Sequence, residues 1–255
     1  MAIAAAVRWR TTRPVTVPAS ASWKNGGTSE RAVSATATGM RAASTRGPKA
    51  TLNVEKIAAA AVAVADTDGI DAVSMQRVAE DLSFTKMSLY RHVAGKADLV
   101  AVMIEHAVGT PPDLHRVKGG WRPRLERWTR ALSASWEDHP WLPGVTVGGR
   151  VMGPNETGWV EAAVAALADT PLSATERMDV VTLISGHIRN TQATDVAGTQ
   201  PWHDRALSEL LRDRRDRFPA LHEIANRRTR TPRQTRDFGL RCLLDGIEMA
   251  IDARA

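Results

Sequence analysis

The apolar residues after position 50 recur at helical spacing, and no segment alternates apolar and polar residues in the way that is typical of a β-strand. The first helical pattern has an apolar face formed by Val54, Ile57, Ala58, Ala61 and Ala65. Asn53 is placed to cap this helix, and Gly69 is placed to end it in the left-handed conformation. The pattern predicts an all-α protein.

Two short helices joined by a sharp turn are predicted next. Ser74 can cap the first helix, and Thr85 can cap the second. The second helix can anchor itself through Leu89 and Val93, which leaves its other face exposed. This layout is typical of a helix-turn-helix, in which the second helix enters the major groove of DNA.

The exposed face of the second helix carries side chains that suit contact with DNA, and it has basic residues without a carboxylate. Lysine can pair with guanine, serine and methionine can touch bases, and tyrosine can reach a base or a phosphate. Gln76 in the preceding helix can pair with adenine. The candidate DNA-binding residues are Gln76, Thr85, Lys86, Met87, Ser88, Tyr90, Arg91, His92 and Lys96. The other interpretation of this face is an ordinary solvated surface.

The segment from Leu89 to Leu99, which reads Leu-Tyr-Arg-His-Val-Ala-Gly-Lys-Ala-Asp-Leu, closely resembles the N-terminal domain of the TetR (tetracycline repressor) family. The resemblance is strong from Leu52 to about Gly109 and moderate over the rest of the chain. It implies that Tyr90, His92 and Lys96 contact the DNA backbone. One departure is Ser83, which stands where the family usually has glycine, and a left-handed conformation there costs about 1 to 2 kcal/mol.

Further helical patterns fill the rest of the chain. A fourth helix begins at Lys96, with Leu99, Val102, Met103 and His106 on one face. Later helices are predicted from Trp121 to Asp138, Asn155 to Leu167, Ser173 to about Val196, Trp202 to Arg217, and Arg233 to Ala253. An exposed loop is predicted from Arg227 to Arg236. These patterns divide the chain into a tail (1–50), a helix-turn-helix DNA-binding domain with its connecting helix (51–109) and a helical domain (110–255), and the resemblance implies that the last of these binds a ligand and dimerises.

Two of the later helices carry apolar stripes, which belong either to a protomer core or to a subunit interface. One stripe comprises Val181, Ile184 and Ile188, and the other comprises Leu240, Leu244, Ile247 and Ile251. In TetR C-terminal domains the corresponding helices of two subunits form a four-helix interface, so the resemblance implies a homodimer. Gly186 and Gly246 are small enough to permit close helix approach.

Six of the eight tryptophans lie between residues 121 and 202. The segments around His139 and from Met152 to Trp159 resemble the kinked segments that line the ligand cavity in tetracycline-repressor-like domains. Apolar walls with few polar groups suit a small-molecule site. The candidate effector-binding residues are Trp141, Met152, Asn155, Trp159, His187 and Asn190, each of which can equally be a core residue.

Composition excludes several other classes of protein. No apolar run approaches the roughly 20 residues that span a bilayer. The single cysteine, Cys242, fits a reducing cytoplasm. The histidines lack metal-ligand spacing, and no enzyme or cofactor motif is present. Tetracycline itself is not expected as the effector, because the segment 144–150 lacks the histidine with which the founding repressor holds its metal-chelated drug.

Residues 1–50 account for the positive net charge, since they hold eight basic residues and one acidic residue, Glu30. Their composition predicts disorder. Three interpretations are open: a DNA-wrapping arm, an organellar transit peptide, or an artefact of start-codon choice. We favour the last, because the segment from Met40 is similar to the short basic lead of TetR proteins.

Together these features predict a homodimeric, cytoplasmic, ligand-responsive regulator that binds double-stranded operator DNA. We interpret it as a repressor that a small apolar or amphipathic effector releases from a palindromic site. It has no predicted membrane segment, metal or cofactor. The alternative is a nucleoid-type protein that binds DNA non-specifically through the basic tail.

Overall fold

The computed structural model describes residues 51–193, 209, 211–225 and 231–254, and all regular structure within these ranges is helical. The all-α prediction is therefore confirmed. The predictions for the tail (1–50) and for residues 194–196, 202–208, 210 and 227–230 fall outside the described residues. The helices are α1 (Val54–Asp68), α2 (Met75–Asp81), α3 (Lys86–Tyr90), α4 (Lys96–Val108), α5 (Trp121–Asp138), α6 (Leu142–Val145), α7 (Pro154–Ala166), α8 (Ala174–Ala193), α9 (Pro219–Ala225) and α10 (Pro232–Asp252).

The first three helices begin where the sequence predicts. The Asn53 side chain accepts a hydrogen bond from Lys56 N at 2.9 Å, and Ser74 Oγ accepts one from Arg77 N at 3.1 Å. Thr85 Oγ1 accepts from Ser88 N at 3.3 Å. The helices that form the helix-turn-helix therefore have side-chain caps that satisfy their free backbone amides.

The end of α1 differs in detail from the prediction. Gly69 has φ +85° and ψ 162°, so its φ is positive as expected, but its ψ is extended and not left-handed helical. The left-handed residue is Ser83, with φ +58°, in the turn between α2 and α3. Its cost is offset locally, because Ser83 N–H donates to Glu80 O and Phe84 N–H donates to Ala79 O, both at 2.9 Å.

The reading head, defined here as α1 to α3, packs on the first half of α4 around fully buried residues such as Ile57, Val78, Leu89 and Leu99. The second half of α4 packs against α7 in the C-terminal bundle. His106 was predicted to share one face of α4 with Leu99, Val102 and Met103, but those three are buried and His106 is exposed, while Glu105 is buried. The helix α4 thus belongs to both parts of the protomer.

The C-terminal bundle consists mainly of α5, α7, α8 and α10. Helices α6 and α9 were not predicted. The helix predicted to reach Arg217 does not do so, because residues 214–217 form a turn. The predicted loop from Arg227 to Arg236 is also wrong at its end, since α10 begins at Pro232 and the buried Arg236 donates to Glu137 on α5 at 2.6 Å.

The apolar stripes predicted as the dimer interface pack α8 against α10 inside one protomer. Ile184, Ile188 and Leu244 are fully buried, and Val181, Ile247 and Ile251 are buried as well, while Leu240 is half-buried against the same core. Side chains that are buried in this way have little surface left for a second subunit. Of the two interpretations that the sequence leaves open for these stripes, the protomer core fits their burial better.

The outward faces of the same helices remain apolar in places. Met178 and Leu183 on α8 are 47% and 50% exposed, and Met249 on α10 is 74% exposed. A β-carbon added at Gly186 or Gly246 would meet nothing within 4 Å. Packing against the described part of the protomer therefore does not require either glycine.

Candidate functional site

Helix α3 presents the predicted DNA-binding side chains on a surface that its own core contacts hold in place. Leu89 and Val93 are buried beneath it, whereas Met87 is 70% exposed and Tyr90 is 39% exposed. The Lys86 ammonium lies 5.8 Å from the centroid of the Tyr90 ring, which is within cation–π range. Lys86 and Tyr90 therefore form one exposed unit on α3.

The other predicted DNA-binding residues are exposed, except Ser88, which is half-buried. The Ser88 hydroxyl shares a hydrogen bond with Thr85 Oγ1 at 2.9 Å, so both side chains take part in the helix cap. Gln76 Nε2 donates to Glu80 at 2.6 Å and must exchange this bond for any contact with a base. Lys96 is exposed in the first turn of α4, six residues after the end of α3.

A cavity of about 240 Å³ lies in the C-terminal bundle, between α5, α7, α8 and the segment that joins α6 to α7. Its apolar wall comprises Val108, Trp128, Leu132, Trp136, Met152, Trp159, Val160 and Val181. Its polar wall comprises Thr146, Arg150, Glu156, Ser185 and Arg189. The cavity is somewhat smaller than the sites that usually hold drug-sized ligands, so it suits a compact molecule.

Of the six residues predicted to bind the effector, Met152 and Trp159 line this cavity. The other four do not, because they lie elsewhere or serve as packing contacts. Trp141 is buried and donates to Asp66 at 2.7 Å, and His187 Nε2 hydrogen-bonds Arg236 O at 2.9 Å. Asn155 Nδ2 donates to Glu105 O at 2.9 Å, and Asn190 is exposed on α8.

Sequence reasoning missed the charged residues of the cavity. Arg150 forms a two-point ion pair with Glu156, in which one of the bonds is 2.7 Å long. Arg189 lies over the Trp136 ring, with its guanidinium carbon 5.1 Å from the ring centroid. A signal was present for Arg189, since Val181, Ser185 and Arg189 follow each other at four-residue spacing and so share one face of α8.

The positive charge of Arg189 has no directly bonded carboxylate among the described residues of the cavity wall. Its guanidinium donates to Pro143 O at 3.4 Å and to Thr146 Oγ1 at 3.3 Å, and both acceptors are neutral. Burial lowers the pKa of Arg189 below its ordinary value, and the positive charge of Arg150 lowers it further. The nearby Glu156 raises the pKa and offsets only part of this shift. An anion near Arg189 would therefore be stabilised.

Two donors in the cavity wall lack partners among the described residues. The indole N–H of Trp136 and the Nε–H of Arg150 are both buried without a hydrogen bond. Buried donors are almost always paired in folded proteins. Both residues line the cavity, but the two N–H groups are closed to solvent, so a bound molecule can supply the missing acceptors only when these side chains turn toward it.

Glu105 on α4 hydrogen-bonds the start of α7 beside the cavity, and this contact is named the Glu105 clasp. Its buried carboxylate accepts from the backbone N–H of Asn155 at 2.7 Å and of Glu156 at 3.0 Å. A carboxylate is favoured at this position because the N-terminus of a helix carries free amides and a partial positive charge. The next cavity residue on α7, Trp159, donates to Val108 O and Gly109 O at 3.1 Å, at the end of α4.

A second contact joins the C-terminal bundle to the reading head directly. Asp66 on α1 accepts from Trp141 Nε1 at 2.7 Å, and His139 Nδ1 lies 2.9 Å from the same carboxylate oxygen. His139 and Trp141 immediately precede α6. Arg189 donates to Pro143 O and Thr146 Oγ1 a few residues further along, so one short stretch of chain links the cavity to α1.

In the part of the chain that the structure describes, no cluster of three or more histidine, cysteine, aspartate or glutamate side chains could hold a metal ion. Within the same ranges, no helix is both long enough and apolar enough to cross a membrane.

Comparison with known proteins identifies the two parts of the chain. Residues 57–103 match the family described as "Bacterial regulatory proteins, tetR family", and residues 112–251 match the "Tetracyclin repressor-like, C-terminal domain". The chain is 30% identical over 228 residues to the HTH-type transcriptional repressor DrrR1 of Streptomyces coeruleorubidus, with 82% of each protein covered. It is 28% identical over 180 residues to an HTH-type transcriptional regulator of Saccharopolyspora erythraea, covering 68% of this chain and 75% of that protein.

Solved structures share the fold. ActR, a TetR family protein of Streptomyces coelicolor, superimposes in its complex with (S)-DNPA at a TM-score of 0.67 and 22% identity, covering 79% of this chain and all of ActR. Its complex with actinorhodin gives a TM-score of 0.67 and 20% identity, covering 81% of this chain and all of ActR. From these matches and the helix-turn-helix described above, the chain belongs to the TetR family of bacterial transcriptional regulators, which bind operator DNA as dimers and respond to small molecules.

Proposed function

We propose that the protein represses transcription by placing α3 of two subunits in successive major grooves of a palindromic operator, and that an effector in the C-terminal cavity releases it. Successive half-sites on one side of B-DNA lie about 34 to 36 Å apart, so a small change in the spacing of two reading heads is enough to weaken binding. We place this activity in the cytoplasm and assign no catalytic role to the chain.

The proposal rests mainly on one observation. The C-terminal bundle is connected to the reading head at two places, and residues of the same cavity contact both of them. On one side Glu156 and Trp159 belong to the cavity wall and bond to α4, directly or through the Glu105 clasp. On the other side Arg189 holds the segment before α7 whose His139 and Trp141 bond to α1. A ligand that moves Glu156 and Trp159, or that moves Arg189, changes the position of the reading head relative to the C-terminal bundle. This movement shifts the population of DNA-binding conformers.

The relatives support this interpretation over the nucleoid-type alternative. ActR has the same fold and was solved with (S)-DNPA and with actinorhodin, so this arrangement of helices accommodates small molecules in that protein. DrrR1 is a transcriptional repressor and matches this chain over most of its length. A sequence-specific repressor with an effector cavity accounts for both likenesses, whereas non-specific binding through residues 1–50 accounts for neither.

The proposed reading surface can be tested with an operator selected from random duplexes. Lys86→Ala and Tyr90→Ala should each weaken binding by about 1 to 3 kcal/mol, because each removes a base or phosphate contact. Lys118→Ala is the matched control, since Lys118 is an exposed lysine in the loop between α4 and α5. Binding isotherms at one fixed salt concentration measure the effect. If both α3 variants bind like the control, another surface reads the DNA.

A further inference from the structure

We propose that the effector is a compact, flat aromatic molecule with one anionic group, whose rings pack on the cavity tryptophans and whose acid group binds Arg189 and the free Nε–H of Arg150. This inference rests on the proposed function only in taking the cavity as the effector site. It specifies the chemical class of the ligand, which the family likeness leaves open.

The flat aromatic part is indicated by the shape and composition of the apolar wall. Three indole rings, those of Trp128, Trp136 and Trp159, line a space of about 240 Å³. Two of these rings are fixed by their own hydrogen bonds, from Trp128 to Trp159 O at 2.9 Å and from Trp159 to the end of α4. Fixed indole faces favour stacked or edge-on aromatic partners over flexible chains.

The anionic part is indicated by the balance of charge in the polar wall. The residues that line the cavity include two guanidinium groups and one carboxylate, and that carboxylate already bonds Arg150 at two points. Arg189 donates to neutral oxygens, so its charge lacks a directly bonded counter-ion within the described residues. A half-buried cation without a bonded counter-ion is less stable than a paired one, and a carboxylate, sulfonate or phenolate on the ligand would supply that counter-ion.

The unpaired donors determine where the acid group and the rings meet. Among the described residues the buried N–H of Trp136 has no partner, and the ring of Trp136 lies beneath the Arg189 guanidinium. The buried Nε–H of Arg150 likewise has no partner within the described ranges. An anion next to Arg189 can accept from these donors once their side chains turn toward it, while the attached ring extends along the tryptophans. Because Glu156 already pairs with Arg150, the charged groups of the cavity wall sum to one positive charge, which disfavours a ligand that carries an amine in place of the acid.

Three probes with the same ring system separate charge from shape: 2-naphthoate, 2-naphthamide and 2-naphthylmethylammonium. Titration calorimetry with the full chain should show binding in the order acid, amide, amine. Arg189→Gln should weaken 2-naphthoate about tenfold to a hundredfold, because it removes a charge-assisted contact, and should leave 2-naphthamide within about twofold. Arg189→Lys should recover part of the loss. The control is Arg130→Gln, an exposed arginine on α5 that does not line the cavity.

The thermal midpoint of each variant checks that it is folded. The inference is overturned if the amine binds as tightly as the acid, if Arg189→Gln leaves the affinity for 2-naphthoate unchanged, or if none of the probes binds at millimolar concentration. A parallel operator-release assay separates this result from the proposed function. An acid that binds through Arg189 without releasing DNA contradicts the repressor mechanism alone, whereas release by the amine but not the acid contradicts the ligand class alone.

Discussion

Gly153 is the residue at which the start of α7 meets α4. A β-carbon at this position would overlap the Glu105 carboxylate, which accepts the first amides of α7. The neighbouring Gly149 has nothing within 4 Å of the same added carbon. Two glycines of one loop therefore have different roles, since one is required by packing and the other is not.

Gly153→Ala should lower the free energy of unfolding by about 1 to 3 kcal/mol, because overpacking forces the Glu105 clasp apart. Gly149→Ala is the matched control, and its effect should stay within about 0.5 kcal/mol. Urea denaturation followed by circular dichroism measures both values. Equal stability of the two variants would mean that Glu105 can move aside without loss.

At the scale of whole elements, the sequence predicts helices and caps well because their causes are local. Asn53, Ser74 and Thr85 each bond an amide three residues ahead, so a short window contains the whole interaction. The cavity charges could not be predicted in this way, because Arg150, Glu156 and Arg189 come from a loop and two helices that only the tertiary fold brings together. Sequence periodicity likewise found the stronger apolar faces of α8 and α10, which form the protomer core.

Asp66 links α1 to the segment before α6, and one substitution can test whether this contact between elements transmits the effector signal. Asp66→Asn keeps one oxygen that can accept from Trp141 but removes the negative charge that faces His139. We expect the variant to bind operator DNA close to normally but to lose much of its response to effector. The effector concentration needed for release should rise about tenfold, since coupling energies of about 1 to 3 kcal/mol are typical.

Operator-release titrations with 2-naphthoate compare Asp66→Asn with the wild type. The control is Asp71→Asn, because Asp71 is an exposed carboxylate in the short turn of helix that follows α1. An unchanged release curve for Asp66→Asn would assign all of the coupling to the Glu105 clasp.

At the scale of the whole molecule, the position of the subunit interface follows from what the protomer leaves uncovered. The outward face of α10 carries Cys242, Gly246 and Met249 at helical spacing, and all three are exposed. Gly186 and Leu183 are exposed on α8. We therefore propose that the two-fold interface uses these outward faces, where glycine allows helices of two subunits to approach closely.

Met249→Asp should yield folded monomers that have lost most of their operator affinity, because it places a charge in an apolar interface and disconnects the two reading heads. Leu244→Asp should instead unfold the protomer, since Leu244 is fully buried. Sedimentation velocity and circular dichroism distinguish these outcomes. The control is Leu221→Asp on α9, a leucine that is 37% exposed. A dimeric Met249→Asp variant would move the interface to another face.

The tryptophans of the cavity also make the protein its own optical probe. Among the described residues, Trp128, Trp136 and Trp159 line the cavity, while Trp121 and Trp141 lie outside it. An aromatic molecule that stacks on the first three indoles should quench or shift their ultraviolet emission, whereas α3, the helix proposed to read DNA, contains no tryptophan. Effector candidates can therefore be sorted by intrinsic fluorescence alone, before any operator is known.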